Sequence, residues 1–335
     1  MTVPTPHAVL LPLSIIATGA ALPPGRVDSC ALDAALNKPA GYVERRSGVR
    51  HRYHATLDAS QADLAAQALE DALTRQHIEP TSIDLLISTS AVPMQALPCT
   101  AALILKAASL PPGTPGFDIN CSCVGFITAL QVAAGLLNAG TYRRIAIVSS
   151  DLVSRGIDWD DDESALILGD GAACAIVERG EGNGGILGSL VETYPQGSDL
   201  CEIQAGGTRR NPRAGMTDKD FLFHMKGKPL FRQAAALIEG FLARLLARSG
   251  LSLGDIATVV PHQASHLSLE HMRKRLGVPS EVLVDIYREH GNQVSASIPT
   301  ALHTAFTTGR YRPGEPVMLI GTAAGLTLAG LVLVP

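Results

Sequence analysis

Aromatic side chains are scarce in this sequence, where seven Phe, six Tyr and a single Trp make up 4% of the 335 residues. Charge is scarce too, since only 17% of the residues are charged and the formal net charge is −4. With 46% apolar residues, the composition excludes intrinsic disorder. The small net charge gives no reason to expect nucleic acid or an anionic membrane as a partner.

Cysteine is not abundant, and its six occurrences form no metal-binding pattern. Cys121 and Cys123 are only two residues apart and no second pair follows, so a zinc site is not expected. The sequence also lacks an apolar run of about 20 residues, the length of a membrane-spanning helix. We therefore expect a cytoplasmic protein with reduced cysteines and with neither a metal nor a bound cofactor.

Short aliphatic runs alternate with stretches whose apolar residues recur at helical spacing. The predicted strands are Ser14–Thr18, Leu85–Thr89, Gly116–Ile119, Ile145–Ser149, Ala173–Glu178, Thr258–Val260, Val282–Ile286, Val317–Gly321 and Thr327–Val334. The predicted helices cover residues 60–76, 100–108, 123–139, 230–249, 267–276 and 297–308. Continuous aliphatic strands between such helices indicate an α/β protein whose sheets are covered on both faces.

The two halves of the chain repeat the same landmarks in the same order. The landmarks are an Asp beside each of two strands, at Asp84 and Asp118 in the first half and at Asp255 and Asp285 in the second. A later strand completes each set. This repetition predicts an internal duplication, with one half at residues 1–178 and the other at 179–335. The Gly-, Arg- and Pro-rich segment Tyr194–Met216 is predicted to be a long loop.

Cys123 is the candidate nucleophile, because it stands where a predicted strand ends and an apolar helix begins. A thiol at a helix start faces unpaired backbone N–H groups and the positive end of the helix dipole, which should lower its pKa. A thiolate there can attack a thioester and hold the acyl group covalently. A single Cys is more often a buried packing residue, so the decision depends on other motifs.

Two further polar residues stand on loops that follow strands or precede a helix. His262 comes directly after the strand Thr258–Val260, which is where sites form in α/β proteins. Asn292 follows Gly291 ahead of an apolar helix and can donate hydrogen bonds without carrying charge. Either residue alone could equally be a helix cap or a packed polar group.

Together, the order Cys123, His262, Asn292 and its flanking motifs resembles the β-ketoacyl-ACP synthase III family of the thiolase superfamily. The shared motifs are Ile16–Gly19, Arg46–Arg52, Phe117–Phe126, Gly169–Ala172, Gly206–Arg209, Pro261–Ala264, Gly291–Pro299 and Gly321–Gly330. The resemblance implies the thiolase fold, which has five αβαβα layers and two duplicated halves. It also implies a homodimer that uses CoA or phosphopantetheine thioesters.

The resemblance assigns a role to each member of the set. Cys123 would accept an acyl group from an acyl-CoA or acyl-carrier-protein donor. A malonyl thioester would then lose CO2 and attack the acyl-Cys, while His262 and Asn292 hold its carbonyl oxygen. The backbone N–H groups of Cys123 and Ala324 would form the other oxyanion hole. Ala324 replaces a glycine of the family, and its N–H remains usable if its φ is negative.

Several positions depart from the family pattern, and they concern the substrate. Tyr42 replaces a Trp that stacks on the CoA adenine, and the Arg that faces this Trp across the entrance in the family falls at or near Asp162 here. Trp159 could take over the stacking, and Arg46 completes this entrance. Two pocket positions also differ: the resemblance places Leu97 in the partner subunit's acyl pocket, or else at ordinary dimer packing, and Thr322 where a Phe favours decarboxylation.

The carrier-protein surface of the family is altered as well. Arg232, Lys274 and Arg275 match basic docking positions, whereas Leu267 replaces an Arg. An acyl carrier protein is therefore the expected partner. Two alternatives stay open: plain acyl transfer from Cys123 to an alcohol or amine, and a non-catalytic subunit of a heterodimer. Retention of the complete Cys–His–Asn set favours the condensing enzyme over both.

Overall fold

The computed structural model describes residues 10–182 and 184–335. The strands are β1 (Ser14–Ala21), β2 (Arg26–Asp28), β3 (His51–Tyr53), β4 (Leu85–Ser88), β5 (Gly116–Asp118), β6 (Arg144–Asp151), β7 (Gly171–Glu178), β8 (Gly185–Thr193), β9 (Cys201–Glu202), β10 (His224–Met225), β11 (Thr258–Pro261), β12 (Val317–Ala323) and β13 (Thr327–Val334). The α-helices are α1 (Ser29–Ala35), α2 (Tyr42–Ser47), α3 (Gln61–Arg75), α4 (Thr100–Ala107), α5 (Gly125–Asn138), α6 (Asp162–Ala165), α7 (Gly227–Ser249), α8 (His266–Arg275), α9 (Tyr287–His290) and α10 (Ser297–Thr307).

Two sheets form the body of the protein. The first has the strand order β1-β7-β6-β4-β5, and the second has the order β11-β12-β13-β8. In the first sheet β4 runs parallel to β6, β6 antiparallel to β7, and β7 antiparallel to β1. The second sheet repeats these relations in β11, β12, β13 and β8. The predicted duplication is therefore present in the topology of the sheets.

The sheets and helices stack in five layers. Helices α5 and α10 lie between the two sheets, where their apolar residues share one core with strands of both. Helices α3 and α4 cover the outer face of the first sheet, and α7 and α8 cover the outer face of the second. Aliphatic side chains fill these layers, as the composition predicted. The prediction of a thiolase-type αβαβα fold is confirmed.

The predicted strand Val282–Ile286 is wrong as a strand, although the segment lies where the duplication places it. Its partner is β11, and the two form an isolated bridge between Val259 and Leu283. Pairing stops because β11 ends at Pro261, which has no N–H to donate. The side chain of Gln263 supplies the hydrogen bonds that the backbone of β11 no longer forms with this segment. Its Nε2 donates to Val284 O at 3.1 Å, and its Oε1 accepts from Ile286 N at 3.1 Å.

Strand β8 was not predicted, and glycine is the reason. Gly188 lies so close to the end of α7 that an added Cβ would sit 2.8 Å from the backbone nitrogen of Ser249. The position therefore needs glycine for helix packing, which hides the strand pattern. The division of the chain at 178/179 stays a prediction; β7 ends at Glu178 and β8 begins at Gly185. In the described part of the chain, none of the helices combines the length and apolarity required to cross a bilayer.

Candidate active site

The segment before Cys123 forms a strained turn. Ser122 has a φ of 48°, a left-handed conformation that is uncommon outside glycine. Asn120 holds this turn, because its Oδ1 accepts from Ser122 N at 2.9 Å and its Nδ2 donates to Ala91 O at 3.0 Å. A short 3₁₀ turn at Ser122–Val124 follows, and α5 begins at Gly125. The helix thus starts two residues later than predicted, and Cys123 sits at its entry.

The thiol of Cys123 faces two backbone donors. The N–H groups of Cys123 and Ala324 both interact with the sulfur and favour its thiolate. Ala324 is outside the left-handed region, so the substitution of glycine leaves its N–H available. Burial nevertheless outweighs these donors and raises the pKa of Cys123, and nearby Cys201 and Asp151 raise it further. The predicted low thiol pKa is therefore wrong for the resting protein.

His262 is buried and neutral at physiological pH. His262 follows β11 and is 5% exposed. Its backbone N–H donates to Ile320 O at 2.8 Å. Burial lowers the pKa of His262 to about 4. Its Nδ1 has no hydrogen-bond partner among residues 10–182 and 184–335. A neutral imidazole carries one donor and one acceptor nitrogen, so His262 can form hydrogen bonds without carrying charge.

Gly321 is the point where the nucleophile turn and the His262 loop converge. A Cβ at this position would lie 2.9 Å from the Cβ of His262 and 3.1 Å from Cγ1 of Val124. Val124 directly follows Cys123. Any larger residue at 321 would therefore push the two elements apart, because both distances are below ordinary contact.

Asn292 joins the same group of loops. Its Nδ2 donates to Ala264 O at 3.2 Å, which ties it to the loop of His262. Its Oδ1 accepts from Val294 N at 2.9 Å, so the amide is held in one orientation. Gly291 must be glycine: its φ is 68° and an added Cβ would lie 2.5 Å from Ile167 O. One Nδ2 hydrogen of Asn292 remains available to a ligand.

A buried carboxylate that the sequence did not predict lies beside this group. Asp151 ends β6 and accepts hydrogen bonds from the backbone of Val92 at 3.0 Å and of Ser295 at 3.0 Å. The hydroxyl of Ser295 also donates to it. Burial raises the pKa of Asp151 to about 6. The sequence did hold a signal for this residue, since Asp151 comes just after the predicted strand Ile145–Ser149. Asp151 now links the first sheet to the Asn292 loop.

A narrow cavity leads to His262 from the surface between α7 and α8. It encloses about 50 Å³. The lining residues are Phe231, Ala234, Ala235, Ile238, His262, Ala264, Ser268, His271, Met272, Leu276, Gly321 and Thr322. Thr322 is thus placed on the cavity wall, next to Gly321.

The residues predicted at the CoA entrance are not arranged as the resemblance implies. Tyr42 and Asp162, expected to face each other across an opening, are in direct hydrogen-bond contact. Arg46 is exposed on α2. Trp159 is 42% exposed, and its ring lies edge-on to His54 with 6.2 Å between centroids.

The remaining predicted residues lie on the surface. Leu97 is 84% exposed, in an apolar loop. Arg232, Lys274 and Arg275 are exposed on α7 and α8, and Leu267 is 65% exposed at the start of α8. These residues are therefore available to a partner, whereas Cys123, His262 and Asn292 gather inside. In the described part of the chain, no group of three or more His, Cys, Asp or Glu side chains is arranged to hold a metal ion.

A thiolase fold with Cys, His and Asn on converging loops defines a thiolase-type acyltransferase. Two family models match this chain: 3-oxoacyl-[acyl-carrier-protein] synthase III over residues 117–195, and its C-terminal part over residues 246–334. The chain belongs to the β-ketoacyl-ACP synthase III family, so the resemblance in the sequence is confirmed. The family consists of acyltransferases, and the chain is an enzyme of this class.

Relatives and solved structures agree with this assignment. A β-ketoacyl-ACP synthase III of Erythrobacter litoralis is 33% identical over 317 residues, covering 94% of this chain and 96% of the relative. The structure of the synthase III of Thermus thermophilus aligns with a TM-score of 0.87 at 30% identity, over 96% of this chain and 99% of that one. The synthase III of Aquifex aeolicus aligns with a TM-score of 0.87 at 26% identity, over 96% and 100%.

Proposed function

We propose that this protein condenses an acyl group on Cys123 with a malonyl thioester, with loss of CO2. The observation that carries the proposal is the pairing of two distinct oxyanion sites around one thiol. The N–H groups of Cys123 and Ala324 reach the sulfur itself. The neutral His262 and the oriented amide of Asn292 lie on neighbouring loops joined at Ala264.

In the first half-reaction, Sγ of Cys123 attacks the carbonyl carbon of an acyl thioester. The tetrahedral oxyanion is held by the N–H groups of Cys123 and Ala324, the carbon–sulfur bond to the donor breaks, and the thiol proton leaves with the donor's sulfur. Because burial raises the pKa of Cys123, this attack depends on the oxyanion donors rather than on a preformed thiolate. In the free protein the same donors face the sulfur of Cys123.

In the second half-reaction, the bond between the malonyl carboxylate and its α-carbon breaks and CO2 leaves. The electron pair becomes an enolate whose oxygen accepts hydrogen bonds from His262 and Asn292. Neutral donors suit this step, since they stabilise the developing charge without trapping an ion pair. The enolate carbon then bonds to the acyl carbon, and the carbon–sulfur bond to Cys123 breaks. The product is a β-ketoacyl thioester.

The partners follow from exposed features of the structure. We infer that an acyl carrier protein delivers the malonyl group to the basic positions Arg232, Lys274 and Arg275 near the cavity. We also infer a homodimer, because β5 is an edge strand with Phe117 37% exposed and the nearby apolar Leu97 is 84% exposed. Edge strands with exposed apolar side chains are usually covered by another chain.

A second candidate function is acyl transfer from Cys123 to an alcohol or amine without condensation. The Thr322 hydroxyl on the cavity wall favours it, because a polar wall weakens the drive to lose a carboxylate. The two functions share the first half-reaction and differ in CO2 release, so one experiment separates them.

The experiment measures both half-reactions on one sample. Acyl-CoA and acyl-carrier-protein panels are incubated with the protein, and intact mass reports the adduct, with Cys123→Ala as the control. Malonyl carrier protein is then added and CO2 release is followed. Adduct with CO2 and a β-ketoacyl product supports condensation. Adduct without CO2 overturns it in favour of simple transfer, and a thiol that accepts no donor indicates a non-catalytic subunit.

A further inference from the structure

The side-chain amide of Asn120 repeats the geometry of the side-chain amide of Asn292. Oδ1 of Asn120 accepts from Ser122 N at 2.9 Å. Oδ1 of Asn292 accepts from Val294 N, also at 2.9 Å. In both turns the donating residue is left-handed, with a φ of 48° at Ser122 and 51° at Val294. Such a φ is uncommon outside glycine and persists where neighbouring contacts enforce it.

The Nδ2 group of each amide also has the same kind of partner. Nδ2 of Asn120 donates to Ala91 O at 3.0 Å. Nδ2 of Asn292 donates to Ala264 O at 3.2 Å. Each of these carbonyls lies three residues beyond the end of a strand, β4 in the first half and β11 in the second. These strands correspond in the duplicated sheets, because β4 runs parallel to β6 as β11 runs parallel to β12. Asn120 is therefore the counterpart of Asn292 in the first half.

The chain that follows each asparagine is similar as well. A 3₁₀ turn begins two residues later, at Ser122–Val124 and at Val294–Ala296, and a helix of the central layer comes next. The third residue after the asparagine is Cys123 in the first half and Ser295 in the second. Ser295 N donates to the carboxylate of Asp151 at 3.0 Å. The backbone N–H at this position of the turn therefore binds a negatively charged oxygen in one half of the molecule.

The matching N–H in the first half is that of Cys123, and it faces the sulfur of the nucleophile. The oxyanion of the first half-reaction would accept from this N–H as the Asp151 carboxylate accepts from Ser295. The direction of the N–H depends on Ser122, because the peptide bond between Ser122 and Cys123 is planar and turns as a unit when ψ of Ser122 changes. The left-handed turn thus determines where the donor points.

Asn120 ties this turn to a fixed loop. Its partner Ala91 is held from the other side, since Ala91 N donates to Asp151 at 3.3 Å and Val92 N donates to it at 3.0 Å. Asp151 is fully buried, whereas Asn120 is exposed. Replacement of Asn120 therefore removes hydrogen bonds from the turn without leaving a cavity in the core.

We propose that Asn120 is a positioning residue for acylation, which holds Ser122 left-handed so that the N–H of Cys123 points at the oxyanion. The inference rests on the proposed function, because it concerns the first half-reaction of that function. Asn120 acts through Ser122 and not on the reacting atoms. Without its amide the turn relaxes, so the transition state loses a well-placed donor while the thiol keeps its surroundings.

Two small reagents separate this role from a general structural one. p-Nitrophenyl acetate acylates Cys123: Sγ bonds to the acetyl carbon through an oxyanion, the ester C–O bond breaks, p-nitrophenolate leaves, and the thiol proton passes to water. Iodoacetamide alkylates the same sulfur by displacing iodide, and no oxyanion forms. The absorbance of p-nitrophenolate and the intact mass of the protein give the two rates, with Cys123→Ala as the background.

In Asn120→Ala the acylation rate should fall about tenfold, the scale of a misplaced oxyanion donor. Alkylation should stay within about twofold, because burial has the largest effect on the pKa of the thiol. In Asn120→Ser acylation should fall only about threefold, since a hydroxyl can accept from the N–H two residues on. Asn138→Ala is the matched control. Nδ2 of Asn138 donates to Pro12 O at 2.9 Å at the far end of α5, so both rates should be unchanged.

Equal slowing of acylation and alkylation in Asn120→Ala would overturn the proposal, as would unchanged acylation in both Asn120 variants. If Asn120→Ala does not fold, the ratio of the two rates in Asn120→Ser decides alone. A thiol that is alkylated but never acylated in the unmodified protein would overturn it too, because no oxyanion is then held. The ratio requires neither a carrier protein nor a malonyl group. A ratio that depends on Asn120 in a protein that releases no CO2 therefore keeps this role and rejects condensation.

Discussion

The Tyr42 hydroxyl donates a hydrogen bond to Asp162 across 2.7 Å, and Lys38 binds the same carboxylate oxygen at 2.9 Å. The ammonium group of Lys38 also lies 5.0 Å from the centroid of the Tyr42 ring. The ring is therefore held at its hydroxyl and covered on one face. To stack on an adenine, Tyr42 would have to give up contacts that it already makes.

Removal of this carboxylate should improve the use of CoA-linked donors. In Asp162→Ala, Tyr42 is released and one negative charge near the CoA phosphates is lost. We expect the KM for acyl-CoA to fall by about two- to fivefold, the scale of a partly exposed ion pair, with carrier-linked donors unchanged. Asp160→Ala removes a charge from the same segment without touching Tyr42. An identical fall in both variants would show that charge alone acts and that the Tyr42 contact is irrelevant.

His290 should make the protein sensitive to acid. Burial lowers its pKa to about 4, and its Nδ1 has no partner within the described residues. The unfolded chain binds this proton below its ordinary pKa of about 6.5, so stability is lost as the pH falls from there towards 4. The full loss is about 3 kcal/mol at most.

His290→Leu removes that proton-binding difference. Urea unfolding at pH 7.5 and pH 5 should show a smaller loss of stability in the variant than in the unmodified protein. His77→Asn, at an exposed histidine, is the control and should leave the difference unchanged. The comparison between variants is needed because Asp151, whose pKa is raised to about 6, acts in the opposite direction. A pH response that His290→Leu does not alter would contradict the prediction.

Asp151 should influence both stability and the reactivity of the thiol. Its negative charge raises the pKa of Cys123, so Asp151→Asn should speed alkylation of that thiol by iodoacetamide at pH 7. The variant should also lose about 1–3 kcal/mol of stability, because backbone donors of Val92 and Ser295 lose a charged acceptor.

The matched control for this experiment is Asp84→Asn. Asp84 also accepts two backbone N–H groups, from Arg143 at 2.8 Å and Arg144 at 3.0 Å, away from the thiol. The Asp84→Asn variant should lower the stability of the protein and leave the alkylation rate of Cys123 unchanged. Slower or unaltered alkylation in Asp151→Asn would show that the carboxylate positions the thiol rather than repelling its negative form.

Leu97 should set the length of acyl chain that the partner subunit accepts. If it projects into the partner's pocket, Leu97→Phe shortens the longest acyl thioester that forms an adduct, and Leu97→Ala lengthens it. Leu57→Phe is the control, because Leu57 is also highly exposed, at 92%. Intact mass over a series of acyl thioesters checks the prediction. A chain-length profile that all three variants share would leave Leu97 as a packing residue of the interface.

The sequence predicted the layers because strong local patterns carry them. Its ordered motifs also single out Cys123, His262 and Asn292, whose loops the structure brings together. It did not predict the sign of the Cys123 pKa, since the helix start is visible in the sequence but the surrounding burial is not. The failure at Val282–Ile286 has a similar origin. No local sequence pattern indicates that the side chain of Gln263 replaces strand pairing beyond Pro261.

The central layer also decides how this molecule can come apart. Helix α10 packs on β1 and β7 of the first half, and α5 packs on β13 of the second. Each sheet therefore completes its interior with a helix from the other copy. Once the duplicated copies were joined in this way, neither could remain an autonomous folding unit. Melting should accordingly be a single cooperative transition, and a chain cut at 178/179 should need both fragments before either acquires native structure.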